Sequence, residues 1–228
     1  MPTLTELAAR ISFLAVPAVA GILITAGLLV VSRDWRLNVW ALILQYFFVV
    51  VLLTRQIRLE VAAVKGLIGW LICMVFYVTE RRVSLLRQPV VTEQERRSSG
   101  LPPQTPLKRW RRWVMSARAS FSLLAGILIA VAAYTATLRF PLPEVSTDVT
   151  LACYLLAGLG LLLIGMSESP MQVGIGLLTF ISGFDLFYVA LEPSLAVAGL
   201  FGAVSFLIAL ASAYLRTAQA ITGEEEVL

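Results

Sequence analysis

Seven stretches of 18 to 22 residues, nearly free of charge, limit what this chain can become: Ile11–Ser32, Leu37–Thr54, Val61–Thr79, Ala119–Leu138, Val149–Met166, Pro170–Leu191 and Leu195–Leu215. A hydrocarbon layer about 30 Å thick takes about 20 helical residues to cross, and each stretch matches that ruler. Inside hydrocarbon the backbone must satisfy its own N–H and C=O groups, which a helix does within one segment. The chain is 59% apolar and 14% charged over 228 residues, where a soluble domain carries roughly 45–50% and about 25%. The expected fold is therefore all-α, a polytopic membrane helix bundle of about seven transmembrane helices. The first stretch is too long for the apolar core of a signal peptide and has no basic segment before it, so it is expected to remain as a span.

Between the third and fourth stretches the composition changes. Residues 80 to 118 hold ten of the eighteen Lys and Arg together with Pro89, Pro102, Pro103 and Pro106. This divides the chain into a three-span group over residues 1–80, a basic Pro-containing linker over 81–118 and a four-span group over 119–228. The other connections are short enough to make antiparallel neighbours. Basic loops stay on the cytoplasmic side. A cytoplasmic linker puts thirteen cations inside (Arg33, Arg36, the ten of the linker and Arg216) and five outside (Arg10, Arg55, Arg58, Lys65 and Arg139). The N-terminus is then outside and the C-terminus cytoplasmic, an arrangement that suits a prokaryotic inner membrane. At the end of the linker, Lys108, Arg109, Trp110, Arg111, Arg112 and Trp113 interleave cations with indoles. A membrane interface selects both, with Trp at headgroup depth and Arg on anionic lipid; contact with a partner or with nucleic acid is the competing reading. The bilayer is the partner expected, without nucleic acid.

Several chemistries fall on residue counts. The chain has no histidine, which removes imidazole general-base catalysis, haem ligation through His and most zinc sites. The two cysteines, Cys73 and Cys153, lie inside apolar runs and read as small hydrophobes. No catalytic residue, metal site or cofactor is expected.

An ionisable side chain at the centre of a span costs about 2.5–3.5 kcal/mol on insertion scales, so each one asks for a reason. Asp185 is the deepest, with six residues still to run before Glu192, roughly 9–10 Å below the end of its helix. Ser182, Tyr188 and Glu192 stand at i−3, i+3 and i+7 from it, which places hydroxyls and a second carboxylate along its stripe. Two readings are open: a proton or ion path through Asp185, Ser182, Tyr188 and Glu192, or a structural acid paired with a cation. The antiparallel order of the spans puts Lys65 of the third at the same depth as Asp185 of the sixth. Lys65 is thus the candidate cation, unless it snorkels outward. Asn38 and Gln45 of the second span are expected to make interhelical hydrogen bonds. Small residues mark close-packed faces: Ala198, Gly202, Ser205, Ala209 and Ala213 on the last span, Gly158, Gly160 and Gly165 on the fifth, and Gly174, Gly176 and Gly183 on the sixth. Pro17 is expected to kink the first span, and Pro170 suits the first turn of the sixth.

The order of a glycine-rich fifth span, the turn Ser167-Glu168-Ser169, the segment Pro170-Met171-Gln172-Val173-Gly174-Ile175-Gly176, then Gly183-Phe184-Asp185-Leu186 and a small-residue final span resembles a known unit. It is similar to the K-type small subunit of respiratory complex I, the C subunit of Mrp-type cation/proton antiporters and the E subunit of group 4 hydrogenases. The resemblance covers about 70 residues, with Asp185 where that family carries a glutamate. It implies a non-catalytic integral subunit of a multisubunit proton- or cation-translocating complex, with other polytopic membrane subunits as partners and Asp185 in its hydrophilic axis. A free-standing structural or lipid-contact protein, or a small transporter, is the alternative.

Overall fold

The structure is a computed structural model describing residues 4–32, 34–54, 59–86, 117–142, 145–191 and 194–225. Among these residues there are seven helices and no strand: α1 (Leu4–Val31), α2 (Trp35–Leu53), α3 (Leu59–Leu86), α4 (Ala117–Arg139), α5 (Thr147–Met166), α6 (Pro170–Leu191) and α7 (Leu195–Glu225). Six of them, α2 to α7, are long and apolar enough to cross a membrane; the described apolar stretch of α1 is the shorter Pro17–Val31. The basic-aromatic segment from Lys108 to Trp113, and Glu192, lie outside the described residues.

Local chemistry sets the helix starts. Pro170 opens α6, where its missing N–H costs nothing, and the Ser169 hydroxyl accepts the Gln172 N–H at 3.4 Å. The Ser194 hydroxyl accepts the Val197 N–H at 3.4 Å in the same way, capping α7. Two helices outrun their apolar stretches: α3 continues seven residues beyond Thr79 to Leu86, and α7 continues ten beyond Leu215 to Glu225. Their extensions meet, because the Arg216 Nε–H donates to Glu80 Oε1 at 2.8 Å and Glu80 is only 3% exposed. Arg216→Ala leaves that carboxylate buried without its donor and is expected to cost about 1–3 kcal/mol, read as a lowered melting temperature in detergent.

The three-helix and four-helix groups pack on each other. α1 lies on α5, and α3 lies along α7. The most extensive pair is α5 with α6, where Gly160, Gly176 and Gly183 bring one backbone against the other. The small residues of α7 named above are all buried. Many large apolar side chains point outward instead, among them Trp40, Trp70, Leu124, Leu128 and Tyr214. Helices of this length with outward-facing apolar flanks make this an integral, multi-pass membrane protein.

Candidate functional site

The buried apolar residues form two layers. One lies at the end of the bundle remote from the linker: Ile22 of α1, Val49 of α2, Ala62 of α3, Leu156 of α5, Leu186 of α6 and Ala198 of α7. The other lies toward the linker: Leu29, Leu42, Ile72, Leu163, Leu178 and Ala209 of the same helices. Between them, on α1, α2, α3, α6 and α7, run buried polar residues: Thr25, Gln45, Lys65, Ser182, Asp185 and Ser205, with Tyr46 beside them. The bundle is thus apolar at two levels, with a polar layer between them.

At the centre of that layer Lys65 Nζ meets Asp185 Oδ2 in an ion pair. Lys65 is 3% exposed and Asp185 0%, so neither charge reaches the surface. The geometry follows from the antiparallel chain order: Lys65 is six residues after Leu59 and Asp185 six before Leu191, each about 9 Å from its helix end. α3 and α6 are connected chiefly through α7 and α2, each of which packs on both. The long lysine side chain spans that gap, and the pair is a strut between α3 and α6 inside the bundle. Lys65 therefore does not snorkel outward.

Two further groups complete the site. The Ser182 hydroxyl donates to the Leu178 carbonyl at 2.7 Å on its own helix. From α2 the buried Tyr46 brings a phenol into the same layer, and its oxygen has no hydrogen-bond partner among the described residues. Gly69 makes room for Tyr46, since a Cβ there would sit 2.7 Å from the tyrosine ring. Tyr46 went unread in the sequence. Its signal was present in the dipeptide Gln45-Tyr46, two polar-tipped residues in the middle of an otherwise apolar span, with a glycine at the corresponding depth of α3. Tyr46→Phe keeps the ring and removes a buried hydroxyl without a partner among the described residues, and is expected to leave the melt unchanged or to stabilise it by about 1 kcal/mol.

The remaining sequence expectations divide. Tyr188 lies in an aromatic cluster, its ring 6.4 Å from that of Phe184 and 5.8 Å from that of Phe201 on α7. Asn38 and Gln45 are buried, yet Asn38 Oδ1 and Gln45 Oε1 have no hydrogen-bond partner among the described residues. The interhelical bonds expected of these oxygens are not made. Other buried hydroxyls of the bundle are turned to their own backbones, as Thr25 Oγ1 is to the Gly21 carbonyl at 2.8 Å and Thr179 Oγ1 to the Ile175 carbonyl at 2.9 Å. Such back-bonding satisfies a hydroxyl donor locally and withholds it from the next helix. Cys73 and Cys153 are buried free thiols. Among the described residues no group of three His, Cys, Asp or Glu side chains is gathered as a metal site requires.

A carboxylate and an ammonium in contact, shut away from water in a layer that also holds a phenol and a hydroxyl, can do two things. They can hold two helices in register, or they can take up and pass on charge when the pair opens. Compared with known proteins, the chain matches no family model, no curated protein and no solved structure.

Proposed function

We propose that this membrane protein is a non-catalytic integral subunit of a multisubunit proton- or cation-translocating complex, in which the Lys65–Asp185 pair is the charge-handling element. The observation that carries this reading is the position of the pair: two opposite charges, both buried, within a polar layer between two apolar ones, about 9 Å inside the helix ends. Ionisable groups at that depth are expensive and characteristically mark ion pathways. Ser182, one turn before the acid, and Tyr46 of α2 place hydroxyls in the same buried layer. On this reading α1 is a seventh span, and the chain runs from an outside N-terminus to a cytoplasmic C-terminus in a prokaryotic inner membrane. With Lys65 inside the bundle and not in a loop, the cations outside the spans divide thirteen to four in favour of the linker side. The likeness to the complex I K-type subunit belongs to the same proposal.

A second reading has its own observation. The two charges neutralise each other and are excluded from solvent, as a purely structural clasp between α3 and α6 would require. Affinity purification from native membranes in mild detergent, with mass spectrometry of the eluate, tests the subunit assignment. Co-elution of large polytopic antiporter-like subunits with the wild type is the expected result. A lone, monodisperse chain in several detergents would contradict it.

A further inference from the structure

A cleft of about 590 Å³ opens between α2 and α3 at the linker end of the bundle. Its walls change character along their length. At the mouth stand Arg36, in the first turn of α2, and Arg81, near the end of the apolar span of α3. The Arg36 guanidinium lies over the Trp35 ring, 5.3 Å from its centre. Trp35 in turn lies 6.3 Å from Tyr77 of α3, which fixes the two helix ends at one level. Deeper, toward the middle of the bundle, the cleft is bounded by Trp40, Ile43, Trp70 and Met74. Trp40 and Trp70 are largely exposed, and so open to the surrounding hydrocarbon. From Trp35 to Ile43 the wall runs about 12 Å along the helix axis.

We propose that this cleft binds one anionic phospholipid of the linker-side leaflet, its phosphate between Arg36 and Arg81 and an acyl chain lying between Trp40 and Trp70. Charge complementarity and its placement identify the occupant. The two cations are at one end only, at the level where α2 begins and the apolar span of α3 ends, and the indole and phenol rings sit where an aromatic belt meets headgroups. Beyond them the walls are apolar, so the cleft has the polarity of one amphiphile with a negative head. Among the described residues, the nearby acids are not paired with either arginine. Glu80, beside Arg81 in sequence, is buried and held by Arg216, and Asp34 is exposed at the start of α2. Arg is also the side chain suited to holding a phosphate by two parallel donors.

The test uses the purified full chain in a neutral detergent, titrated with phosphatidylglycerol or phosphatidylcholine and followed by native mass spectrometry and by the melting temperature. The wild type is expected to retain phosphatidylglycerol about tenfold or more in preference to phosphatidylcholine, given the attraction of two basic residues. Arg36→Ala with Arg81→Ala is expected to abolish the preference, Arg36→Lys with Arg81→Lys to keep part of it, and Arg139→Ala to leave it intact. Equal binding of both lipids by the wild type overturns the proposal, as does a preference that survives in the double alanine variant. Displacement of the lipid by millimolar inorganic phosphate would mean a headgroup site without a lipid slot. A dimer that the double alanine variant dissolves would mean that a second copy covers the cleft. Either result also overturns the proposal.

Discussion

Removing one charge of the central pair destabilises the bundle far more than removing both. Lys65→Met leaves the Asp185 carboxylate, and Asp185→Leu leaves the Lys65 ammonium, in a site where each is almost wholly excluded from solvent. Breaking a buried pair from one side costs about 3–5 kcal/mol, because the surviving charge loses its partner without regaining water. That is a large share of the roughly 5–15 kcal/mol that holds a typical fold together. The double variant replaces both groups with apolar side chains of similar reach between two apolar layers, and is expected to lie within about 1 kcal/mol of the wild type. The double-mutant cycle, read from unfolding in detergent, then gives a coupling of several kcal/mol. Single variants as stable as the wild type would show that the two side chains do not meet.

The second large effect is steric. A Cβ on Gly160 would lie 2.6 Å from the Phe180 nitrogen and 2.9 Å from the Gly176 oxygen, and one on Gly183 would lie 3.0 Å from both the Ala157 nitrogen and the Cys153 oxygen. The atoms in the way are backbone, which cannot rotate aside as a side chain would. Gly160→Ala is expected to cost about 1–3 kcal/mol by overpacking. Gly160→Leu is expected to separate α5 from α6, with loss of monodisperse protein on extraction. Gly165 and Gly199 have nothing within 4 Å of an added Cβ, so Gly165→Leu and Gly199→Leu serve as controls that keep the wild-type yield. If Gly160→Leu behaves like these controls, the close approach of α5 and α6 is not a determinant of the fold.

Much of this was legible in the sequence because hydropathy reads membrane thickness directly. The starts of α6 and α7 fall at the residues expected, and the ends of α2 and α5 within one residue. The ends of α3 and α7 do not, since a helix persists past its apolar stretch where something outside it holds the turn, here Glu80 with Arg216. Depth was legible for Lys65 and Asp185, because counting residues along antiparallel spans gives height. Azimuth was not. Residues at i−3 and i+3 stand about 60° to opposite sides of residue i. Ser182 accordingly stays in the buried layer with Asp185, while Tyr188 lies against Phe201 on α7. The part taken by Tyr46 depends on how α2 faces α6, a long-range packing that no local spacing records.

Ion flux through the isolated assembly, compared between the wild type and the charge-exchanged variant Lys65→Asp with Asp185→Lys, bears most directly on the proposed role of the pair. Exchange keeps two opposite charges in contact and so keeps the strut between α3 and α6, which co-purification of the other subunits verifies. It moves the acid from α6 to α3, away from Ser182 on its own helix. An assembled complex whose ion flux falls to background is the result expected if the acid handles charge at that point. Wild-type flux in the exchanged variant would contradict the account and leave the pair as a structural clasp.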